Sequence, residues 1–215
     1  MNILNKEIEQ KVGKSHYKNY DDFNRFISYF NQIESIKKTN PDNILEIGVG
    51  NNTLSTYLRS KGFDLTTCDF DESLKPDIVA DIRKLPFEEN QFDTVVAFEI
   101  LEHLKFKEFE GCLKQLHKVS NKYVIISLPY SGIYLEILIR FPWIKKIIKK
   151  DFIRIFLSVP LITHKFRCKQ HYWEVGRKGF SKNKVRKLFK KDFIIKEDFR
   201  LPISPHHWML ILKKK

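Results

Sequence analysis

Apolar and polar positions follow two different periods along this chain, and the changes of period mark its elements. Phe23, Phe26, Ile27, Phe30, Ile33 and Ile36 recur three and four residues apart, the spacing of one face of an α-helix. Asp21 or Asp22 stands where a helix cap belongs. Lys37 and Lys38 sit near the end, where positive charge suits the helix dipole, and Pro41 follows. Asn43–Ile47 then reads as a short strand running into Gly48-Val49-Gly50. A helix is expected from Thr53 to Lys61, stopped by Gly62. Strands are expected at Phe63–Cys68 (ending at Asp69), Ile78–Ala80, Phe92–Phe98 and Tyr123–Leu128, with a helix over Phe106–Val119. The run FDTVVAF is apolar enough to be buried on both faces, as strands of a parallel sheet are.

Strands and helices alternate with short links, which predicts a parallel sheet wrapped by helices with right-handed crossovers. Ligands of such sheets bind at the carboxyl ends of the strands, where the strand order reverses. Residues 130–172 interrupt the alternation. There Ile144, Ile147, Ile148, Phe152, Ile155 and Phe156 form an apolar stripe, with Lys145, Lys146, Lys149 and Lys150 on the other side, which predicts a basic amphipathic helix. Emerging over the ligand edge, this insert is a candidate lid, membrane contact or plain packing element. Val185, Leu188 and Phe189 mark a further helix. Phe193–Ile195 and Trp208–Leu212 read as two closing strands, paired as a hairpin at the sheet edge. The whole is expected to be one domain, 1–215, with a core at 42–128, the insert at 130–172 and the closing helix and hairpin at 180–213.

Composition changes this picture at one end only. The net charge is +13, and residues 130–215 alone carry 22 Lys+Arg against 6 Asp+Glu. An anionic membrane surface, a nucleic acid or another acidic partner would suit that half, and so would lysines added by coding bias alone. Cys68, Cys112 and Cys168 are an odd count with no C-x-x-C pair, against a disulfide framework or a structural zinc site and in keeping with a cytoplasmic location. The first twenty residues carry charges throughout, unlike a signal peptide, and no uncharged run has the ~20 apolar residues of a spanning helix.

The chemistry concentrates in four short motifs. Leu45-Glu46-Ile47-Gly48-Val49-Gly50-Asn51-Asn52-Thr53 is a strand-to-helix loop whose glycines permit a sharp turn and close approach of a ligand. Glu46, two residues before the first glycine, would repel a pyrophosphate and welcome a cation. Asp69 lies 23 residues after Glu46, placed to accept hydrogen bonds from ribose hydroxyls. Asp81, after the third strand, is placed to accept from an adenine amino group. Phe98-Glu99-Ile100-Leu101-Glu102-His103-Leu104 follows the fourth strand.

These motifs, in this order, resemble the cofactor half of class I S-adenosylmethionine-dependent methyltransferases, in particular the small-domain group called type 11. LEIGVGNNTLS is similar to that family's glycine-rich first motif, and DIRKLPFEENQFDTVVAFEILEHL to its stretch from the adenine-contacting acid through the fourth strand. The resemblance spans about residues 42–128. It implies a Rossmann-like, doubly wound, mostly parallel seven-stranded sheet with an antiparallel last strand, carrying a helical insert after the fifth strand, and S-adenosyl-L-methionine as cofactor. It further implies that Glu46, Gly48 and Gly50 line the methionine part, that Asp69 holds the ribose, that Asp81 and the backbone at Ile82 meet the adenine, and that Phe98 and Glu99 sit beside the sulfonium. Asn52 stands where the family has a third glycine. Asparagine tolerates a left-handed backbone better than most residues, so the turn can survive there.

Methyl transfer from a sulfonium is an in-line displacement that depends on alignment, with a base needed for some acceptors. His103, His171 and Tyr172 are the candidate catalytic residues, with Glu99 beside them and His206 and His207 as weaker ones; no metal-ligand spacing stands out. The expected acceptor is a small or amphipathic molecule. A nucleic-acid methyltransferase is the main competitor, supported by basic residues interleaved with Trp143, Phe166, Tyr172, Trp173 and Phe180. Against it stands the lack of an RNA-binding module and of an Asn-Pro-Pro-Tyr motif after the fourth strand. A non-catalytic binding protein has only Asn52 in its favour. Glu46, and Thr53 at the third glycine of G-x-G-x-x-G, weigh against a nicotinamide dehydrogenase.

Overall fold

The computed structural model describes residues 17, 20–141, 143, 145, 149, 151–160 and 170–215. Seven strands form one sheet: β1 (Asn43–Ile47), β2 (Asp64–Asp69), β3 (Ile78–Val79), β4 (Phe92–Phe98), β5 (Ser120–Pro129), β8 (Phe193–Arg200) and β9 (His207–Lys214). Their spatial order is β3-β2-β1-β4-β5-β9-β8, and β9 runs antiparallel to both of its neighbours. This is the mostly parallel, Rossmann-like sheet with an antiparallel last strand that the sequence predicts. The closing pair is a hairpin at the sheet edge as expected, with β9 on its inner side and β8 outermost.

Side-chain alternation along the strands builds two apolar layers. Leu45, Val95, Ala97, Val124, Ile126, Trp208 and Leu210 face α3 (Phe109–Val119) and α4 (Lys182–Asp192). Ile44, Val96, Ile125, Met209 and Ile211 face α1 (Phe23–Thr39) and α2 (Thr53–Ser60). Asp22 caps α1 by accepting from the Arg25 backbone N–H at 2.8 Å. The helix is present as its spacing predicts, but its apolar stripe is not the face against the sheet. Phe23, Phe26 and Phe30 are exposed, and the face against the sheet carries Ser28, Gln32, Ser35, Ile36 and Thr39. Small residues let this helix approach closely, and the Thr39 hydroxyl meets that of Thr94 at 2.9 Å.

The insert is a correction. Gly132–Ile139 (β6) and Ile153–Pro160 (β7) pair as an antiparallel hairpin, so Ile155 and Phe156 lie on a strand where an amphipathic helix was expected. Ile144, Ile147, Ile148, Lys146, Lys150, Phe166 and Cys168 lie outside the described residues. The hairpin has two unlike faces. On one, Arg154 pairs with Glu136 and donates to the carbonyls of Arg200 and Leu201, while Arg200 donates to Ser158, which ties the hairpin to the β8–β9 turn. On the other, Ile133, Leu135, Ile137, Ile153, Ile155, Leu157 and Val159 are aligned by the register and exposed.

Candidate active site

The cofactor loop begins where β1 ends. Gly48 has φ +83°, and a Cβ there would lie 2.1 Å from Ile100 Cδ1; Gly50 also has positive φ. Asn52 takes the left-handed conformation (φ 64°), and its Nδ2 donates to the Leu74 carbonyl at 3.0 Å instead of projecting into the cavity. Beneath the loop, Glu46 is 3% exposed and its Oε2 has no hydrogen-bond partner among the described residues. Burial pushes its pKa up to about 8, and the neighbouring Asp69 adds to the effect.

Asp69, at the end of β2, clamps two turns at once. Its Oδ2 accepts from the Val49 N–H and its Oδ1 from the Asp71 N–H, each at 2.9 Å. Burial, opposed by these amide hydrogen bonds, leaves its pKa above the ordinary carboxylate value. Burial also works upward on Asp81, but hydrogen bonds from Arg83 outweigh it and hold that carboxylate below its usual value. At the end of β4, Glu99 has φ +55°, a costly conformation for a side chain with a Cβ. Its Oε1 is buried with no hydrogen-bond partner among the described residues, and burial raises its pKa to about 7.

These residues line one cavity of about 440 Å³ at the carboxyl ends of β1, β2, β4 and β5, where the strand order reverses. Gly48, Gly50, Asp69, Asp81, Ile82, Phe98, Glu99, His103 and His171 are on its wall. Glu46 and Asn52 stand behind the wall. Tyr172 is off it: the residue is 41% exposed, and its backbone N–H donates to the Glu102 carbonyl at 2.9 Å. His206 and His207 reach the far rim.

Several wall residues escape the sequence reading. Tyr17, Tyr20 and Arg25 come from before the first motif, and Arg25 lies over the Tyr20 ring at 4.1 Å. Asp71 is legible only as the second acid of Asp69-Phe70-Asp71. Glu102 reads as a helix-start cap but is fully buried on the wall. Trp173, counted among the nucleic-acid-facing aromatics, is instead a core anchor. It is fully buried with its ring 5.0 Å from both Phe106 and Phe109, and its indole N–H donates to the Leu104 carbonyl. That anchor brings His171 within 5.0 Å of His103, ring to ring. Burial pulls the His103 pKa down to about 4, with His171 adding to the shift. Phe180 likewise packs against the core.

The walls suit a cation better than a phosphate. Glu46, Asp69, Asp71, Asp81, Glu99 and Glu102 surround the cavity or its floor, and Arg83 is already held by Asp81 and Glu108.

Residues 45–126 match the family model described as a methyltransferase domain. No curated protein sequence matches the chain. Solved structures do. A S-adenosylmethionine-dependent methyltransferase from Aquifex aeolicus is 13% identical with a TM-score of 0.60, covering 95% of this chain and 100% of that one. A 1,6-didemethyltoxoflavin-N1-methyltransferase from Burkholderia thailandensis is 15% identical, TM-score 0.59, covering 94% and 84%, and was crystallised with 1,6-didemethyltoxoflavin and S-adenosylhomocysteine. A magnesium protoporphyrin IX methyltransferase from Synechocystis PCC 6803 is 14% identical, TM-score 0.59, covering 96% and 90%. Residues 45–126 thus match a methyltransferase domain, and the solved methyltransferases share the class I, Rossmann-like fold of this chain.

Proposed function

We propose that the chain transfers a methyl group from S-adenosylmethionine to a small, amphipathic acceptor. The observation that carries this reading is the continuous acid-lined cavity running from Asp69 and Asp81 to Glu99, His103 and His171. The cofactor, when bound, supplies a methyl group made electrophilic by its sulfonium. The Glu46 carboxylate and the Gly48–Gly50 backbone would hold its methionine part. Asp69 and Asp71 would hold the ribose, Asp81 and Ile82 the adenine, and Phe98 and Glu99 the reacting end. Alignment of acceptor and methyl then supplies much of the rate. A His103 pKa near 4 makes that ring a weak proton acceptor at neutral pH, so its part is in positioning more than in proton removal. Calorimetric titration of the protein with S-adenosylmethionine and S-adenosylhomocysteine tests the reading. One site per chain in the micromolar range is expected, and no heat at millimolar ligand sinks it.

The hairpin supports the amphipathic part. Seven exposed aliphatic side chains share one face of β6–β7, and the stacked Phe141 and Trp143 rings and the basic Arg140, Lys145 and Lys149 follow at its end. Apolar surface flanked by cations is the chemistry of an anionic lipid interface. No helix among the described residues is long and apolar enough to cross a membrane, so contact would be peripheral. Sedimentation with phosphatidylcholine vesicles carrying phosphatidylglycerol should capture the protein. The Leu135→Asp/Leu157→Asp double variant, and high salt, should each weaken capture about tenfold, a loss of about 1.4 kcal/mol. Capture that is absent, or that the variant retains, removes the lipid surface. Self-association in its place assigns the face to a second copy.

A further inference from the structure

Three side chains of the cavity wall converge in a way the methyl-transfer reading does not use. His103 Nε2 and His171 Nε2 lie 3.9 and 4.0 Å from the same atom, Glu102 Oε1. One ligand atom from each of the three residues lies within 4.8 Å of the others. The far nitrogen of each ring already has an acceptor. His103 Nδ1 is 3.3 Å from the Gln170 carbonyl, and His171 Nδ1 is 2.9 Å from Glu174 Oε1. An acceptor beside Nδ1 favours the tautomer with the ring proton there, which leaves Nε2 as the ligating nitrogen of each ring. Two ring nitrogens and an oxygen of a fully buried carboxylate thus cluster at separations that a single bound ion could span.

We propose that Glu102, His103 and His171 form a binding site for a divalent transition-metal ion. Metal–ligand distances of about 2.0–2.2 Å require each of the three side chains to close by less than about 1 Å. The outer contacts are those of a metal site. Glu174 accepts from His171, and Arg177 in turn lies 3.4 Å from Glu174, so the ligand ring is held from behind by a carboxylate that is itself anchored. Glu99 adds a second buried acid on the same wall, its Oε1 without a hydrogen-bond partner among the described residues. A dication offsets that buried negative charge. Two nitrogens with carboxylate oxygen favour zinc, iron, cobalt or manganese over magnesium or calcium. The cavity gives a small oxygen ligand access to the ion, where a Lewis acid acts.

Cobalt(II) is the probe. The untagged full chain, stripped with chelator, is titrated with CoCl2 while its visible d–d absorption is followed. One Co²⁺ per chain is expected, with the band lost in His171→Ala and in Glu102→Gln and kept in His117→Ala, a histidine on α3 away from the cavity. No saturable band in the wild type, or an equal band in the His103→Ala/His171→Ala double variant, overturns the site. Should the ligand variants fail to fold, Glu174→Gln keeps all three ligands and should weaken binding about 10–100-fold; unchanged affinity there also overturns it. No S-adenosylmethionine is present, so failure here leaves the methyl-transfer reading standing, and a calorimetric failure leaves this one standing.

Discussion

Asp69→Ala is expected to cost both stability and cofactor affinity, and to cost more than a lost ligand contact would. The side chain accepts two backbone hydrogen bonds, from Val49 inside the glycine loop and from Asp71 in the turn after β2. Removing it strands two sheltered N–H groups, at about 1–3 kcal/mol each. The loss of stability should therefore be about 2–6 kcal/mol, read by denaturant unfolding. The loop it releases is the one that carries Gly48 and Gly50, so S-adenosylmethionine affinity should fall at least about 100-fold, or roughly 2.7 kcal/mol. Asp69→Asn should recover little, because an amide nitrogen cannot accept the second N–H. A variant that keeps wild-type stability but loses affinity would show that the clamp is unimportant and that the carboxylate acts on the ligand alone.

Glu46→Gln should do the reverse, stabilising the empty protein while weakening the cofactor. With a folded-state pKa of about 8 against an ordinary value near 4.5, wild-type Glu46 keeps its proton after the unfolded chain has lost it. Folding stability is therefore greatest below about pH 4.5 as far as this group is concerned, and drains away as pH rises to about 8. At roughly 1.4 kcal/mol per pH unit the full loss is of the order of a few kcal/mol. Glutamine cannot ionise, so the variant should match wild type near pH 5 and exceed it above pH 8. Ligand binding follows the opposite sign. A cationic ligand favours the carboxylate, so wild-type affinity should rise with pH up to about 8 and binding should release protons. Calorimetry in two buffers of different ionisation enthalpy reads that release, and the variant should show none. Parallel pH–stability curves for the two proteins would remove Glu46 as a titrating group.

What the sequence discloses of this fold is what is periodic or local. The near-continuous apolar run FDTVVAF predicts a strand buried on both faces, YVIISL a further strand, and Gly48-Val49-Gly50 the turn at the ligand edge. Both are present because a strand's burial and a turn's backbone are decided within a few residues. Two amphipathic stripes show the limits of period: on α1 it says which residues share a face but not what covers that face, and in the insert two periods overlap. On α1 the sheet accepts serines and threonines and leaves three phenylalanines outside. In the insert, Ile153, Ile155 and Leu157 alternate as strand residues, a period overlooked beside the helical spacing around them. The acceptor end was the least legible. Glu102 and His103 sit beside each other in sequence, but His171 joins them only through the burial of Trp173, and no local pattern announces a contact made 69 residues away in the Leu104–Trp173 bond.

The position of β9 has a consequence for how the chain reaches this structure. β5 cannot complete its hydrogen bonding with anything made before it except β4, and its other edge waits for a strand synthesised after β8. Tyr123 must find Lys213, and Pro129 must find His207. Until then the edge of β5, with Val124, Ile125 and Ile126 beside it, is an open template for the wrong partner. Pairing across so long a stretch of chain is slow. The early strands have ample time to collapse first, so assembly should pass through a five-stranded half-sheet that is sticky along one side and depends on cellular chaperones or dilution to survive until its last neighbour arrives.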